Sequence, residues 1–184
     1  SPVVAGAGCI VIDNSSAWRM DPEVPLVVPE VNAHALGSIP KRLIANPNCS
    51  TIQMVVALKP LHDLARIKRI VVSTYQASSG KGAKGLFELD EQISAIGQGK
   101  TVASPKAHAG QLAGNVLPHD WKLGEDGYSE EEWKMIRETR KIFEDDKMLV
   151  SATTARVAVR HGHCESINVE FHDAISVADA RLAL

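Results

Sequence analysis

Apolar residues recur along this chain with two different periods. Cys9-Ile10-Val11-Ile12-Asp13 is an almost continuous apolar run ahead of the polar Asn14-Ser15-Ser16, the pattern of a buried parallel strand ending in a loop. Before it, Gly6-Ala7-Gly8 lacks the third glycine of a dinucleotide fingerprint and reads as a turn. Pro22, Pro25, Pro29 and Pro40, with Gly37, then break the chain into a loop or short edge strands, with Leu26-Val27-Val28 as the strand candidate, and this stretch suits a crossing between domains. Asn46-Pro47-Asn48-Cys49-Ser50-Thr51 reads as a turn that feeds a helix. Met54, Leu58, Leu61 and Leu64 fall at helical spacing after it, and Pro60 is expected to kink that helix or end it early.

The second half repeats the alternation. Arg69 to Gln76 is rich in β-branched residues and predicts a strand, followed by the small-residue loop Ser78-Ser79-Gly80-Lys81-Gly82. Leu86, Leu89, Ile93 and Ile96 mark an amphipathic helix stopped by Gly97 and Gly99. Lys100 to Pro118 shows little periodicity and predicts a long loop with one short strand. Ser129 and Glu132 form a capping box that opens a charged helix reaching about Phe143, with Trp133, Ile136, Arg140 and Phe143 on one side. Met148 to Ser151 and Arg156 to Val159 predict two strands separated at Thr153-Thr154. Ile167, Val169 and Phe171 alternate with Ser166, Asn168 and Glu170, as in an antiparallel strand with one wet face, and Ser176 to Asp179 starts a last helix.

Composition narrows the class. The 184 residues, 45% apolar and 23% charged, match an ordinary globular protein of one domain or parts of two. A net charge of −2 gives no electrostatic reason to expect nucleic acid or an anionic membrane as partner. No apolar run reaches the ~18 residues of a membrane-spanning helix, and the first residues lack a signal-peptide pattern, so a cytoplasmic location is the expectation. Cys9, Cys49 and Cys164 are odd in number and widely spaced, which suits a reducing compartment and no disulfide framework.

The candidate chemistry starts at Cys49. A thiol in the first turn of a helix sees the positive end of the helix dipole and several unpaired backbone N–H groups, which favour the thiolate. The same N–H groups are candidates to hold an oxyanion on a carbonyl that the sulfur attacks. A small buried core thiol is the competing reading, and the hexapeptide alone leaves both open. His161 and His163 flank Gly162, yet no third ligand is spaced to complete a zinc site, so no metal is expected. A cysteine, a histidine at a strand junction, an arginine on the preceding strand (Arg156) and a glutamine at a strand end (Gln76) suggest a thiol enzyme acting on a carboxylate-bearing substrate. Residue chemistry alone does not separate a hydrolase from a dehydrogenase.

Five stretches taken in order, Val11 through Arg19, Ala45 through Thr51, Ser73 through Gly80, Asn115 through Pro118 and Arg156 through His163, closely resemble the aspartate-β-semialdehyde dehydrogenase family. The resemblance implies an α/β (α+β) chain: the end of a Rossmann-like domain in residues 1–48, then a mixed or antiparallel-sheet catalytic and dimerisation domain of the glyceraldehyde-phosphate-dehydrogenase type in 49–184. It implies Cys49 as nucleophile and His163 as general acid/base. Gln76, Arg156 and Glu131 would bind substrate, Arg19, Asn48 and Lys134 the phosphate, and Ser79 with Gly80 would border the nicotinamide of NADP. Aspartyl phosphate would be reduced to its semialdehyde with release of inorganic phosphate, through a cysteine thioacyl intermediate, by a homodimer or homotetramer. The family's glycine-rich nucleotide loop and its C-terminal end have no counterpart here, which implies a fragment inactive by itself.

Ala158, Cys164 and Gly114 depart from the family pattern of proline, serine and a large aromatic. The related N-acetyl-γ-glutamyl-phosphate reductases are the nearest alternative, but their nucleophile usually has glycine before it and tyrosine after it, unlike Asn48 and Ser50. Malonyl-coenzyme A reductases are a weaker one. A non-catalytic dimerisation fragment is the alternative from a different class.

Overall fold

The computed structural model describes residues 1–118 and 123–184. Its elements in order are α1 (Pro2–Gly6), β1 (Val11–Asp13), α2 (Pro29–Asn32), β2 (Leu43–Ala45), α3 (Cys49–Leu64), β3 (Ile67–Gln76), α4 (Gly82–Gly97), β4 (Val116–Pro118), α5 (Glu130–Phe143), β5 (Leu149–Val157), β6 (Cys164–Phe171) and α6 (Val177–Ala183). The chain packs as two compact units. The first holds Ser1–Ile70, Lys134–Val150 and Asn168–Leu184, and the second holds Val71–Trp133 and Ser151–Ile167. The expected α/β class is present, as a parallel pair β1-β2 and a four-stranded sheet of order β4-β5-β3-β6 whose β4-β5 edge is antiparallel.

In the first unit, Val11, Ile12 and Asp13 of β1 pair in parallel with Leu43, Ile44 and Ala45 of β2. Leu26 adds a single parallel bridge to Ala45, so the proline-rich stretch supplies a bridge and not a strand. Buried Asn32 holds that stretch instead, accepting from the Val28 N–H at 2.8 Å and donating to the Leu26 carbonyl at 2.9 Å. The expected fully buried strand at 9–13 is shorter and only half buried. Successive side chains of a strand point to opposite faces, so Ile12 is 74% exposed while Asp13 is buried. Helix α3 runs through Pro60 to Leu64, without the expected early end. Pro60 costs that helix one N–H rung, but buried Met54, Val55 and Leu58 anchor the turns ahead of it. Leu64, counted with the apolar stripe, is exposed.

In the second unit, α4 explains how the aperiodic stretch before β4 is held. The Glu88 carboxylate accepts the backbone N–H groups of Lys106, Ala107 and His108 at 2.5, 2.7 and 2.9 Å. The Gln92 side-chain oxygen accepts those of Leu112 and Ala113 at 2.8 and 3.0 Å. Two polar side chains on one helix face thus replace ladder partners for five residues, leaving Leu89, Leu112, Ala113 and Leu117 to form a buried apolar cluster. The capping box is present, with Ser129 N–H and hydroxyl both donating to Glu132 at 2.7 and 2.8 Å. The strands predicted on either side of Thr153-Thr154 are one continuous β5, because β-branched threonines suit a pleated strand and Thr154 buries its side chain there.

Helix α5 also differs from expectation. Its fully buried residues include Met135, Ile136, Glu138, Thr139 and Ile142, whereas Trp133, Arg140 and Phe143 are only partly buried. Polar residues on the packed face moved it off the stripe that hydrophobicity alone marks. Among the described residues no helix is long and apolar enough to cross a membrane.

Leu89 is fully buried, whereas Ile93 on the same helix is 49% exposed. Leu89→Ala is therefore expected to lower unfolding free energy by about 2–5 kcal/mol and Ile93→Ala by less than about 1 kcal/mol, as read from urea melts.

Candidate active site

Cys49 is the first residue of α3, and its side chain is exposed, which sets aside the buried-core reading. The turn before it is held from both ends. The Asn48 side-chain oxygen caps the helix, accepting from the N–H groups of Ser50 at 2.9 Å and Thr51 at 3.3 Å. The Asn48 N–H itself donates to Glu138 Oε2 at 2.6 Å. Glu138 Oε1 accepts from Arg19 Nη1 at 3.0 Å, and the same guanidinium donates from Nε to the Asn46 carbonyl at 2.9 Å and from Nη2 to the Asn14 carbonyl at 3.1 Å.

This geometry corrects one expectation. The N–H groups of Asn48, Ser50 and Thr51 are occupied by Glu138 and by the cap, so these three do not form a ready oxyanion hole. What the helix start offers the sulfur from them is the field of the dipole and a fixed position. Three of the five guanidinium N–H groups of buried Arg19 are likewise engaged, which leaves two for any further anion. Lys134 lies on α5 one turn before Glu138, on the same face, and is partly buried. Lys141, a further turn along, donates to the carbonyls of Arg19, Asp21 and Val24 at 2.8, 2.8 and 2.9 Å.

The second unit gathers the other candidates around the backbone of Ala77. Its N–H donates to His163 Nδ1 at 3.0 Å, and its carbonyl accepts from Arg156 Nη1 at 2.6 Å. A methyl group on Gly80 would lie 2.6 Å from Arg156 Nη1 and 3.2 Å from His163 Nε2, so the glycine lets the backbone approach both side chains. Ser79 adjoins it, fixed through its N–H to the Arg160 carbonyl at 3.0 Å. The buried Gln76 amide donates to Thr74 Oγ1 at 3.3 Å and to Glu131 Oε1 at 3.4 Å.

A backbone N–H can only donate, so His163 Nδ1 is unprotonated and the neutral ring carries its proton on Nε2. Desolvation pushes the His163 pKa below its ordinary 6.5, and the Arg156 charge pushes the same way against the weaker pull of Glu131. His161 is exposed. No group of three or more His, Cys, Asp or Glu among the described residues is arranged to hold a metal.

The first unit thus holds Arg19, Asn48, Cys49 and Lys134, and the second holds Gln76, Ser79, Gly80, Glu131, Arg156 and His163. Sequence reasoning missed Glu138, Lys141 and Ala77. Glu138 and Lys141 carried one usable signal, a helical spacing that puts them on the Lys134 face. Ala77 acts through its backbone and carried none.

The fold pairs a two-stranded parallel element with a four-stranded sheet, an α/β architecture in which one unit carries a helix-start thiol and the other a desolvated imidazole beside an arginine. Residues 58–184 match the model of the semialdehyde dehydrogenase dimerisation domain, and residues 1–39 that of the semialdehyde dehydrogenase NAD-binding domain. The chain belongs to the semialdehyde dehydrogenase family. It is 55% identical to the aspartate-semialdehyde dehydrogenase of Aquifex aeolicus over 100% of this chain and 54% of that protein. The crystal structure of aspartate semialdehyde dehydrogenase II from Vibrio cholerae, complexed with ASA, superposes with a TM-score of 0.97 at 43% identity, covering 100% of this chain and 55% of that one. The aspartate semialdehyde dehydrogenase of Candida albicans with NADP gives 0.71 at 27% identity, covering 100% and 52%. The chain spans about half the length of the curated relatives it matches.

Because the folded pKa of His163 is depressed, its neutral form contributes stability that is fully present above 6.5 and is lost as pH falls through the lower folded value. Urea melts at about pH 7.5 and about pH 5 are expected to show a smaller acid loss for His163→Gln than for the parent, with His62, also desolvated, supplying part of the slope that persists.

Proposed function

We propose that this chain carries the reacting residues of an aspartate-β-semialdehyde dehydrogenase, which reduces aspartyl-β-phosphate to the semialdehyde with NADPH and releases inorganic phosphate. The observation that carries the reading is the exposed Cys49 thiol at the start of α3, on a turn fixed by its own cap and by Glu138. In this reading the thiolate attacks the acyl carbon, and the C–S bond forms as the C–O bond to phosphate breaks. Arg19, Asn48 and Lys134 offset the charge of the departing phosphate. Hydride addition to the resulting thioester leaves an alkoxide, whose collapse returns the electron pair to sulfur and frees the aldehyde.

His163 is the acid/base partner. Its Nε2–H is the donor for the alkoxide oxygen, and its depressed pKa keeps the ring neutral at cytoplasmic pH. Arg156 binds the substrate α-carboxylate as a fork, Gln76 orients the substrate, and Glu131 meets its amino group. The nicotinamide supplies the hydride when bound. Exposed, side-chain-free Gly80 with Ser79 gives a flat ring a backbone surface to lie on, which fits that end of the cofactor. Among the described residues there is no glycine-rich strand-turn-helix for the pyrophosphate end. A homodimer or homotetramer formed through the dimerisation domain, in the cytoplasm, completes the reading. The 1–48 and 49–184 segments are proposed as its cofactor and catalytic parts. Asn48 and Ser50 on either side of the nucleophile favour this substrate over N-acetyl-γ-glutamyl phosphate.

Two measurements test the reading in the longest natural polypeptide that carries this sequence. Phosphate-dependent NADP reduction is expected with aspartate semialdehyde and not with N-acetylglutamate semialdehyde, and Cys49→Ala is expected to lower it by about 10⁴-fold or more. Equal rates on both aldehydes, or an active Cys49→Ala, would rule the reading out. Arg156→Lys, which loses the planar fork, is expected to raise KM for the aldehyde by about tenfold or more.

A further inference from the structure

Glu138 is 1% exposed and lies on α5, ninety residues along the chain from the turn it touches. A buried carboxylate carries a desolvation cost that its partners must offset. Here each oxygen has a different donor: Oε2 takes the Asn48 N–H at 2.6 Å, and Oε1 takes Arg19 Nη1 at 3.0 Å. Through Arg19 the same carboxylate is tied to the carbonyls of Asn46 and Asn14. The residue directly before Cys49 and the residue that opens the turn are thus both fixed to one buried charge. Lys141 holds the other end of the Arg19 segment by three carbonyls.

We infer that Glu138 is a positioning residue for the Cys49 thiol: its carboxylate sets the Asn46–Asn48 turn directly through the Asn48 N–H and indirectly through the Arg19 guanidinium, which holds the Asn46 carbonyl. This inference rests on the reading of Cys49 as the nucleophile. A carboxamide cannot substitute. It has one acceptor oxygen for two donors, so its NH₂ would be set against either Asn48 N–H or Arg19. Aspartate keeps both oxygens and the charge but draws them back by one methylene.

The test is made in the longest natural polypeptide carrying this sequence, at a temperature where melting curves show each variant folded. Glu138→Gln is expected to lower kcat by about tenfold or more with KM for the aldehyde changed by less than about threefold. The rate of Cys49 carbamidomethylation by iodoacetamide should shift with kcat, and Asn48 amide hydrogen exchange should speed up. A role confined to stability would move the melting midpoint and none of these three. If Glu138→Gln does not fold, Glu138→Asp decides, with a fall in kcat of about threefold or more expected. Folded variants whose kcat and carbamidomethylation rate both stay within about twofold of the parent overturn the inference, while the inactive Cys49→Ala control leaves the functional reading standing. An active Cys49→Ala overturns both.

Discussion

The constraint on which the first unit depends is the placing of one buried negative charge between a backbone N–H and a buried guanidinium. A buried ion pair such as Arg19–Glu138, with side chains 10% and 1% exposed, is a poor source of net stability. Its value is geometric. Charge-assisted hydrogen bonds are short and directional, and those around Glu138 converge on the turn that precedes Cys49. The turn ahead of Cys49 is held by side chains far away in sequence as well as by its own Asn48 cap.

The second unit solves a similar problem with backbone. Ala77 has no functional side chain, yet its N–H chooses the tautomer of His163 and its carbonyl anchors Arg156. The imidazole and the guanidinium are held to the N–H and the carbonyl of a single residue, which keeps them close to one another. Gly80 then removes the one side chain that would collide with both. The pull of Arg156 on the His163 pKa follows from that closeness, and the acid/base group and the carboxylate receptor of the proposed reaction are electrostatically linked.

Much of this could be read from the residues. The α3 start, β3, α4, the capping box of α5 and the alternation in β6 each rest on local periodicity or on a cap, and each is present. What periodicity could not show was short or held by distant partners. The three-residue strand β2 shows no alternation long enough to recognise, and the stretch before β4 is ordered by Glu88 and Gln92 on another element. Residue type did point to a helix-start thiol and to Gln76, Arg156 and His163. It did not reveal that the Asn48 N–H was occupied, because that depends on a glutamate in a helix whose charges looked like a solvated face. Gly114, a departure from the family's aromatic, adopts a φ of 74°, which glycine accepts readily.

Lys134, Glu138 and Lys141 follow a four-then-three spacing on α5, and that spacing makes the helix intolerant of changes in length. One inserted or deleted residue between Lys134 and Lys141 would turn everything beyond it by about 100° and shift it by about 1.5 Å, swinging Lys141 off the carbonyls of Arg19, Asp21 and Val24. Loops elsewhere in the chain can absorb an extra residue with little consequence. Related chains are therefore expected to vary in length at their loops and to keep this helical register unbroken.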